Sequence, residues 1–509
     1  MFLHMLLAEF DHQASGHYRK NTQSTLHGKV HLVHLYVNHV ASVRPTEDEQ
    51  VNPRTVGISD ISVYVPEQRM DLVSLAAYRV RTIPNLARHF ERALRTTGQR
   101  AIRFPRPWED SATMAATAAA QLLERRRTAS GQQTLSGLRY LVAGTETGVD
   151  HSKPVSAYVQ GMLGLAGFNL PETLASYQLQ HACAGATAGL ITTGALLALS
   201  GNPNEFGIVT ASDIARYEGK STAEVTQGSG AAAILVEPNP KLLELDLASP
   251  GYYSQDVDDF FRPVGSITAK VKGQYSMQCY KINLDGALRD FAGRHDTSVK
   301  DILLGTDYFV LHAPFRNMPG MALEKMFEEH AGMTIAEARA HLARGGFYSA
   351  IEPIAESGNS YTASVYINLA SLLIERYREE GEKIIGKSIL IASYGSGNTM
   401  ILIGAKVTSD APAVIASWPH ELIGRGRRAT IRDYELWMAG PEIESEIAEP
   451  DAESVQNETG ASSDQPPKAF YLANIRNDGY REYLYGAPVT AGAAEANEVS
   501  ASVASHAAN

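Results

Sequence analysis

Residues 176–199 read SYQLQHACAGATAGLITTGALLAL, and no acidic or basic side chain follows His181 until Glu205. Tyr177, Leu179 and His181 alternate with Gln178 and Gln180, which is the period of a strand. From Ala184 onward the residues are small or aliphatic, and a helix apolar on every side belongs inside a protein rather than on its surface. The stretch therefore predicts a buried strand running into a buried helix, with Cys183 on the turn between them. Unpaired N–H groups and the dipole at a helix start favour an anion. This position predicts a thiol that loses its proton near neutral pH and acts as a nucleophile. The competing reading is an inert, packed cysteine, and the rest of the chain must decide between them.

Composition narrows the function classes. At 509 residues the chain can build two core-sized units with extra segments, and 44% hydrophobic against 20% charged residues is a soluble globular balance. A net charge of −11 excludes a general polyanion-binding surface, so no nucleic-acid partner is expected. Two cysteines rule out a disulfide framework and fit a reducing cytoplasm. No apolar run is read as a membrane span, and Met1–Leu7 is too short, and lacks the basic region, for a signal peptide.

Along the chain, residues 1–54 read as a peripheral, partly disordered extension. The folded body begins with the strand VGISDISVYVP, followed by helix over 71–98 and a helix SATMAATAAAQLLERR led by Glu109 and Asp110. Leu138–Ala143 is a strand ending at GTETGVD, and a helix follows around Ser152–Leu165. After the Cys183 unit come the strands FGIVTASDIARY and TQGSGAAAILVE. A second series follows: helix over 275–296 and 299–303, the strand YFVLHAPF, and one amphipathic helix over 320–344. The loop-and-helix GNSYTASVYINLASLLIERY and the strand–turn–strand SILIASYGSGNTMILIGAKV complete it. The order of elements repeats, which predicts an α/β protein built as a duplication with halves 55–239 and 240–409. Residues 410–486 are read as an appended region. It contains an acidic linker, Glu442–Glu458, and an aromatic, basic segment, 470–486, that docks on the body; 487–509 form a disordered tail.

Polar groups at strand ends or turns are the candidates for chemistry, since ligands of α/β folds meet the carboxyl ends of strands. They are Glu146, Cys183, His312, and Asn359 with Ser396 in Gly-flanked turns. Each has a plainer reading: Glu146 as a helix cap, His312 as a core histidine, Asn359 and the 395–397 GSG as turn residues. Cys279 reads as a packed mid-helix residue. The chain has no GxGxxG or Walker loop, no HExxH and no CxxC, so nucleotide, flavin and metal chemistry have no positive signal.

Nine stretches then converge. GTETGVDHSK, HACAGATAGL, SDIARY…TQGSGA, DDFFRP, QYSMQCY, LHAPF, GNSYTASVYINLASLL, SYGSG and FYL…I…YREY stand in that order between about Val56 and Gly486. Together they resemble the 3-hydroxy-3-methylglutaryl-CoA (HMG-CoA) synthases of the thiolase superfamily. The resemblance implies a duplicated thiolase-like fold, layered αβαβα, with terminal extensions, acting as a homodimer without a cofactor. Its substrates would be acetyl-CoA and acetoacetyl-CoA. Cys183 would carry the acetyl group, Glu146 would act as base, and His312 would hold the acetoacetyl group and polarise its ketone. Tyr217, Asn359 and Ser396 would line the acyl pocket. Backbone N–H groups at Cys183 and at the Ser396–Gly397 turn would steady the enolate oxygen.

The likeness has departures. Asn317 and Met321 stand where lysine is common, with Arg316 and Lys325 as candidates to compensate. Ala184 replaces the usual aromatic residue after the nucleophile, and His181 the usual acidic residue two before it. A related branch takes its acyl group from acyl carrier protein and installs β-methyl branches on polyketides; that branch is the alternative reading.

Overall fold

A computed structural model describes residues 55–130, 135–440 and 469–486. The expectations for residues 1–54, for the acidic segment Glu442–Glu458 and for the tail 487–509 lie outside the described residues.

The core is a ten-stranded mixed sheet. Its strands are β1 (Val56–Tyr64), β2 (Leu138–Gly144), β3 (Ala175–Leu179), β4 (Phe206–Ala215) and β5 (Gly228–Pro238). They continue as β6 (Leu243–Leu245), β7 (Gly251–Ser254), β8 (Tyr308–Leu311), β9 (Ser388–Gly395) and β10 (Thr399–Val407). The order across the sheet is β8-β9-β10-β6-β1-β5-β4-β2-β3, with β7 on β10. Moving outward from β1, the partners β5, β4 and β2 are antiparallel, antiparallel and parallel. Moving outward from β6, the partners β10, β9 and β8 repeat the same three relations. The two series meet where β1 pairs with β6. The repeated order read from the sequence is thus a repeated topology, as in thiolase-like folds.

Side chains along β5 explain the layers. Ala231, Ala233 and Leu235 pack with helices α1 (Ser111–Ser130) and α2 (Val155–Leu165). Ala232, Ile234 and Val236 pack on the opposite face with α3 (Gly185–Ser200) and, further on in sequence, α6 (Ser364–Glu380). Both faces of the strand are covered, so it reads as an unbroken apolar run instead of an alternation. On the second half, α4 (Gly273–Arg294) packs on β7, β9 and β10. Helices α3 and α6 meet through the Thr187 and Tyr366 hydroxyls, 2.9 Å apart. Residues Ala182–Ser200 are by length and composition sufficient to cross a membrane, which corrects the expectation that no run is long enough. Their place against β1, β2, β4 and β5 makes them a core helix.

Glycine makes this contact possible at one point. A Cβ added to Gly144, at the end of β2, would lie 2.2 Å from the Ala186 nitrogen. Gly144→Ala is therefore expected to lower stability by about 3 kcal/mol or more, because backbone must move to make room. Chemical denaturation checks this.

Two local expectations are corrected. The helix expected over 320–344 is two: α5 (Met318–Ala331) stops at Gly332, whose φ is 69°, and Ile335–Arg344 restarts behind a Thr334/Glu337 capping box. Residues 71–98 likewise divide into Leu72–Thr82 and Ala87–Thr97 around a 3-10 turn beginning at Pro84. Short strands Gln68–Asp71 and Ala101–Phe104, with Arg427–Arg428, form a small separate sheet that periodicity does not reveal. Ala469–Ile475 and Arg481–Gly486 form a hairpin. Its Tyr483 hydroxyl donates to the carboxylate of Asp110, the residue that caps α1, at 2.7 Å.

Candidate active site

Two connections deliver the central pair. Glu146 follows β2, and Cys183 sits on the turn between β3 and α3, beside Ala182 with φ 39°. A non-glycine residue in that region is strained, and the strain is confined to the turn that presents the sulfur. Cys183 Sγ donates to Glu146 Oε1 at 3.5 Å, and both side chains are buried. Glu146 caps no helix: α2 begins only at Val155, with Pro154 at its cap.

The electrostatics reverse one expectation. Burial, then the nearby Glu146 and Asp213 carboxylates, push the Cys183 thiol well above its ordinary range. The helix start is outweighed, so the resting group is a thiol whose proton points at Glu146. Burial also raises Glu146, to about 8; the Arg262 guanidinium opposes that rise and Asp213 adds to it. Arg262 holds Glu146 twice, with Nη1 on its main-chain oxygen at 2.6 Å and Nη2 on Oε2 at 3.1 Å.

Asp213, fully buried at the end of β4, organises the same turn. Its Oδ1 accepts from the Thr145 hydroxyl (2.8 Å), the Glu146 N–H (2.9 Å), and the Thr147 N–H and hydroxyl (3.0 and 2.6 Å). Its Oδ2 accepts from the Thr362 N–H at 3.2 Å. Thr362 Oγ1 in turn receives the Ala186 N–H at the start of α3, at 2.9 Å. One carboxylate thus ties together the Glu146 turn and the loop before α6, and that loop holds the start of the Cys183 helix.

Beside the sulfur lies an aromatic wall of Tyr217, Phe260 and Tyr361, with ring centroids 5.8 to 6.4 Å apart. Tyr361 is wholly buried, has φ 44°, and its side chain lies against those of Tyr217 and Arg262. Asn359 Oδ1 accepts the Tyr361 N–H at 2.8 Å, so Asn359 shapes this wall from below. Ser396 lies in the β9–β10 turn, which abuts the Cys183 turn: a Cβ at Gly395 would lie 2.3 Å from the His181 oxygen. The Gly397 N–H, expected to face an enolate, instead donates to Asp259 Oδ1 at 2.8 Å, which removes it as a free donor.

His312 ends β8, buried, with Nδ1 2.6 Å from Ser364 Oγ, at the first residue of α6. Its main chain is held by Ala392 and by the Tyr280 hydroxyl. Burial pushes its imidazole down to about 3, so it is a neutral hydrogen-bonding group. It joins the site through the 359–364 loop: its partners are Ser364, Ala392, Tyr280 and the Tyr361 backbone, and not Cys183 or Glu146. Arg316 is paired with Glu352 and Lys325 with Glu328 and Glu329, while Asn317 donates to the Thr96 carbonyl. Arg262, Asp213 and Tyr361 were not singled out from sequence. Their only signal was a lone Asp in the apolar strand FGIVTASDIARY, a lone Arg in DDFFRP, and a Tyr between polar loop residues.

Comparisons with known proteins give the family. The family model described as hydroxymethylglutaryl-coenzyme A synthase N terminal matches residues 52–241, and its C-terminal counterpart matches 347–425. The hydroxymethylglutaryl-CoA synthase of Enterococcus faecalis is 31% identical over 389 residues, covering 76% of this chain and 92% of that protein. A solved structure of MvaS in complex with 3-hydroxy-3-methylglutaryl coenzyme A superposes with TM-score 0.71 at 32% identity, over 85% of this chain and 99% of that one. The curacin-pathway HMG synthase in complex with holo donor-ACP has TM-score 0.69 at 23% identity, over 85% of this chain and all (100%) of that one, which shows a shared fold. With the N-terminal model spanning Glu146 and Cys183, the C-terminal model following it in order and a relative 31% identical over most of both chains, the chain belongs to the hydroxymethylglutaryl-CoA synthase family of condensing enzymes.

Proposed function

We propose that this chain condenses an acetyl thioester with acetoacetyl-CoA to give HMG-CoA, through an acetyl group carried on Cys183. The contact between Cys183 Sγ and Glu146 Oε1 beside a buried aromatic cluster carries the reading. Glu146 takes the thiol proton as sulfur attacks the acetyl carbonyl, and returns it to the departing CoA thiolate. The ionised Glu146 then removes a proton from the acetyl methyl group, leaving the electron pair in an enolate. The enolate carbon attacks the acetoacetyl ketone, with His312 as neutral hydrogen-bond donor to that oxygen. Glu146 gives its proton to the new alkoxide, and water releases the product from sulfur. One carboxyl serves four proton transfers, which suits a group held near neutrality. Tyr217, Asn359 and Ser396 shape the acyl pocket, and no cofactor takes part.

Intact-mass spectrometry tests the reading. An acetyl increment on incubation with acetyl-CoA, chased by acetoacetyl-CoA to free HMG-CoA, supports it; no increment from any acetyl donor overturns it. The same experiment with acetyl-carrier protein decides the alternative donor, which the pairing of Arg316 and Lys325 with carboxylates keeps open. A homodimer is supported by β3, an edge strand with one partner and all five residues half-buried. Two free cysteines suit a reducing compartment such as the cytoplasm.

A pH profile follows from the same geometry. Acetylation requires ionised Glu146, so its rate is expected to rise about tenfold per unit at low pH and to level off near pH 8. Cys183 and Glu146 titrate as a pair, and the limb belongs to both. Quenched-flow labelling between pH 5 and 9 measures it.

A further inference from the structure

Glu146 has two carboxylate oxygens in different company. Oε1 faces the Cys183 sulfur at 3.5 Å, while Oε2 is taken by Arg262 Nη2 at 3.1 Å. The same guanidinium holds the Glu146 carbonyl oxygen at 2.6 Å, so the fork grips main chain and side chain of one residue. Arg262 is itself mostly buried, stacked 5.7 Å from the Tyr361 ring centre, and its Nε has no hydrogen-bond partner. A buried guanidinium with an unmet N–H is costly as mere scaffolding. Burial and the Asp213 carboxylate disfavour a negative charge on Glu146; the Arg262 guanidinium opposes them most strongly, with the hydrogen bond from the Cys183 thiol acting the same way.

We propose that Arg262 is a positioning residue for Glu146, reserving Oε1 for proton transfer with Cys183 and with the acetyl methyl group by occupying Oε2. This rests on the synthase reading above. The fork fixes the plane of the carboxyl group, so one oxygen alone collects and releases protons. The cation also resets Glu146 after each transfer, because it opposes retention of the proton in a site that burial would otherwise keep neutral. Loss of the charge and loss of the fork have separable consequences.

The test is the pH dependence of Cys183 acetylation and of acetyl-methyl hydrogen–deuterium exchange, in wild type, Arg262→Gln and Arg262→Lys. Arg262→Gln is expected to move the acidic limb of both half-reactions upward together by more than one pH unit, lowering the rates at pH 7 more than tenfold. Arg262→Lys is expected to keep the limb within half a unit but to lower the plateau several-fold. A structural role would lower rates equally at every pH; an unmoved limb in a folded Arg262→Gln protein overturns the proposal. Should that variant not fold, Arg262→Lys decides alone, and a wild-type plateau there counts against it. A wild-type protein that takes up no acetyl group defeats the synthase reading, a different failure from an acetylating wild type with indifferent variants.

Discussion

A Cys183→Ala protein is expected to take up no acetyl group and to lose condensing turnover by a factor on the order of 10⁴ to 10⁶, the loss typical when a covalent nucleophile is removed. The fold should survive. Cys183 is a small buried side chain, and trimming it to alanine costs about 1 kcal/mol by loss of contacts. Turnover and stability thus separate, which distinguishes a nucleophile from a packed thiol. Cys279 supplies the control. It is buried in α4, away from the aromatic wall, and Cys279→Ala should still acquire one acetyl increment. Intact mass on the two variants, with a denaturation curve for each, gives both readings. Equal labelling of Cys183→Ala and wild type would sink the mechanism.

The residues that announced themselves did so through a break in a pattern. The uncharged helix after Cys183 could only be interior, and its neighbours had to be strands covered on both faces. Glu146 and His312 stood at strand ends, where a duplicated α/β fold opens. Pattern could not reveal how charge is shared in the site. Arg262 lies in an irregular stretch whose side chains meet Glu146 only after more than a hundred residues of chain return to it. The thiol's state escapes the sequence for the same reason: a helix start is visible there, whereas two carboxylates brought near the sulfur by distant segments are not. The Gly397 N–H is a similar case. A Gly/Ser turn suggests free donors, but Asp259, from a distant loop, had already taken this one. Helix breaks were legible in part: Gly332 and the Thr334-Ile335-Ala336-Glu337 capping box carry the signal, overridden by the amphipathic period on either side.

Asp213 tests the electrostatic account most severely, because it acts on the same carboxyl from the opposite sign. Every contact of its side chain is an accepted hydrogen bond, the pattern of an ionised carboxylate. Asp213→Ala strands the N–H groups of Glu146 and Thr362 in the interior, leaves that of Thr147 only the Thr145 hydroxyl, and takes an acceptor from the Thr145 and Thr147 hydroxyls. At about 1–3 kcal/mol for each unmet buried group, an overall loss of about 3 kcal/mol or more is expected, with the Glu146 turn released. Asp213→Asn is the informative variant: its amide oxygen can still accept at Oδ1, so the turn is largely kept while the charge is gone. Asp213 raises both Glu146 and Cys183, so removing its charge lowers both. The acidic limb of acetylation should then move below its wild-type position near pH 8, opposite to the shift expected for Arg262→Gln. Two substitutions that each remove one charge beside Glu146 thus displace the same limb in opposite directions. Movement of both limbs the same way would show that Glu146 is not the group whose ionisation limits the reaction.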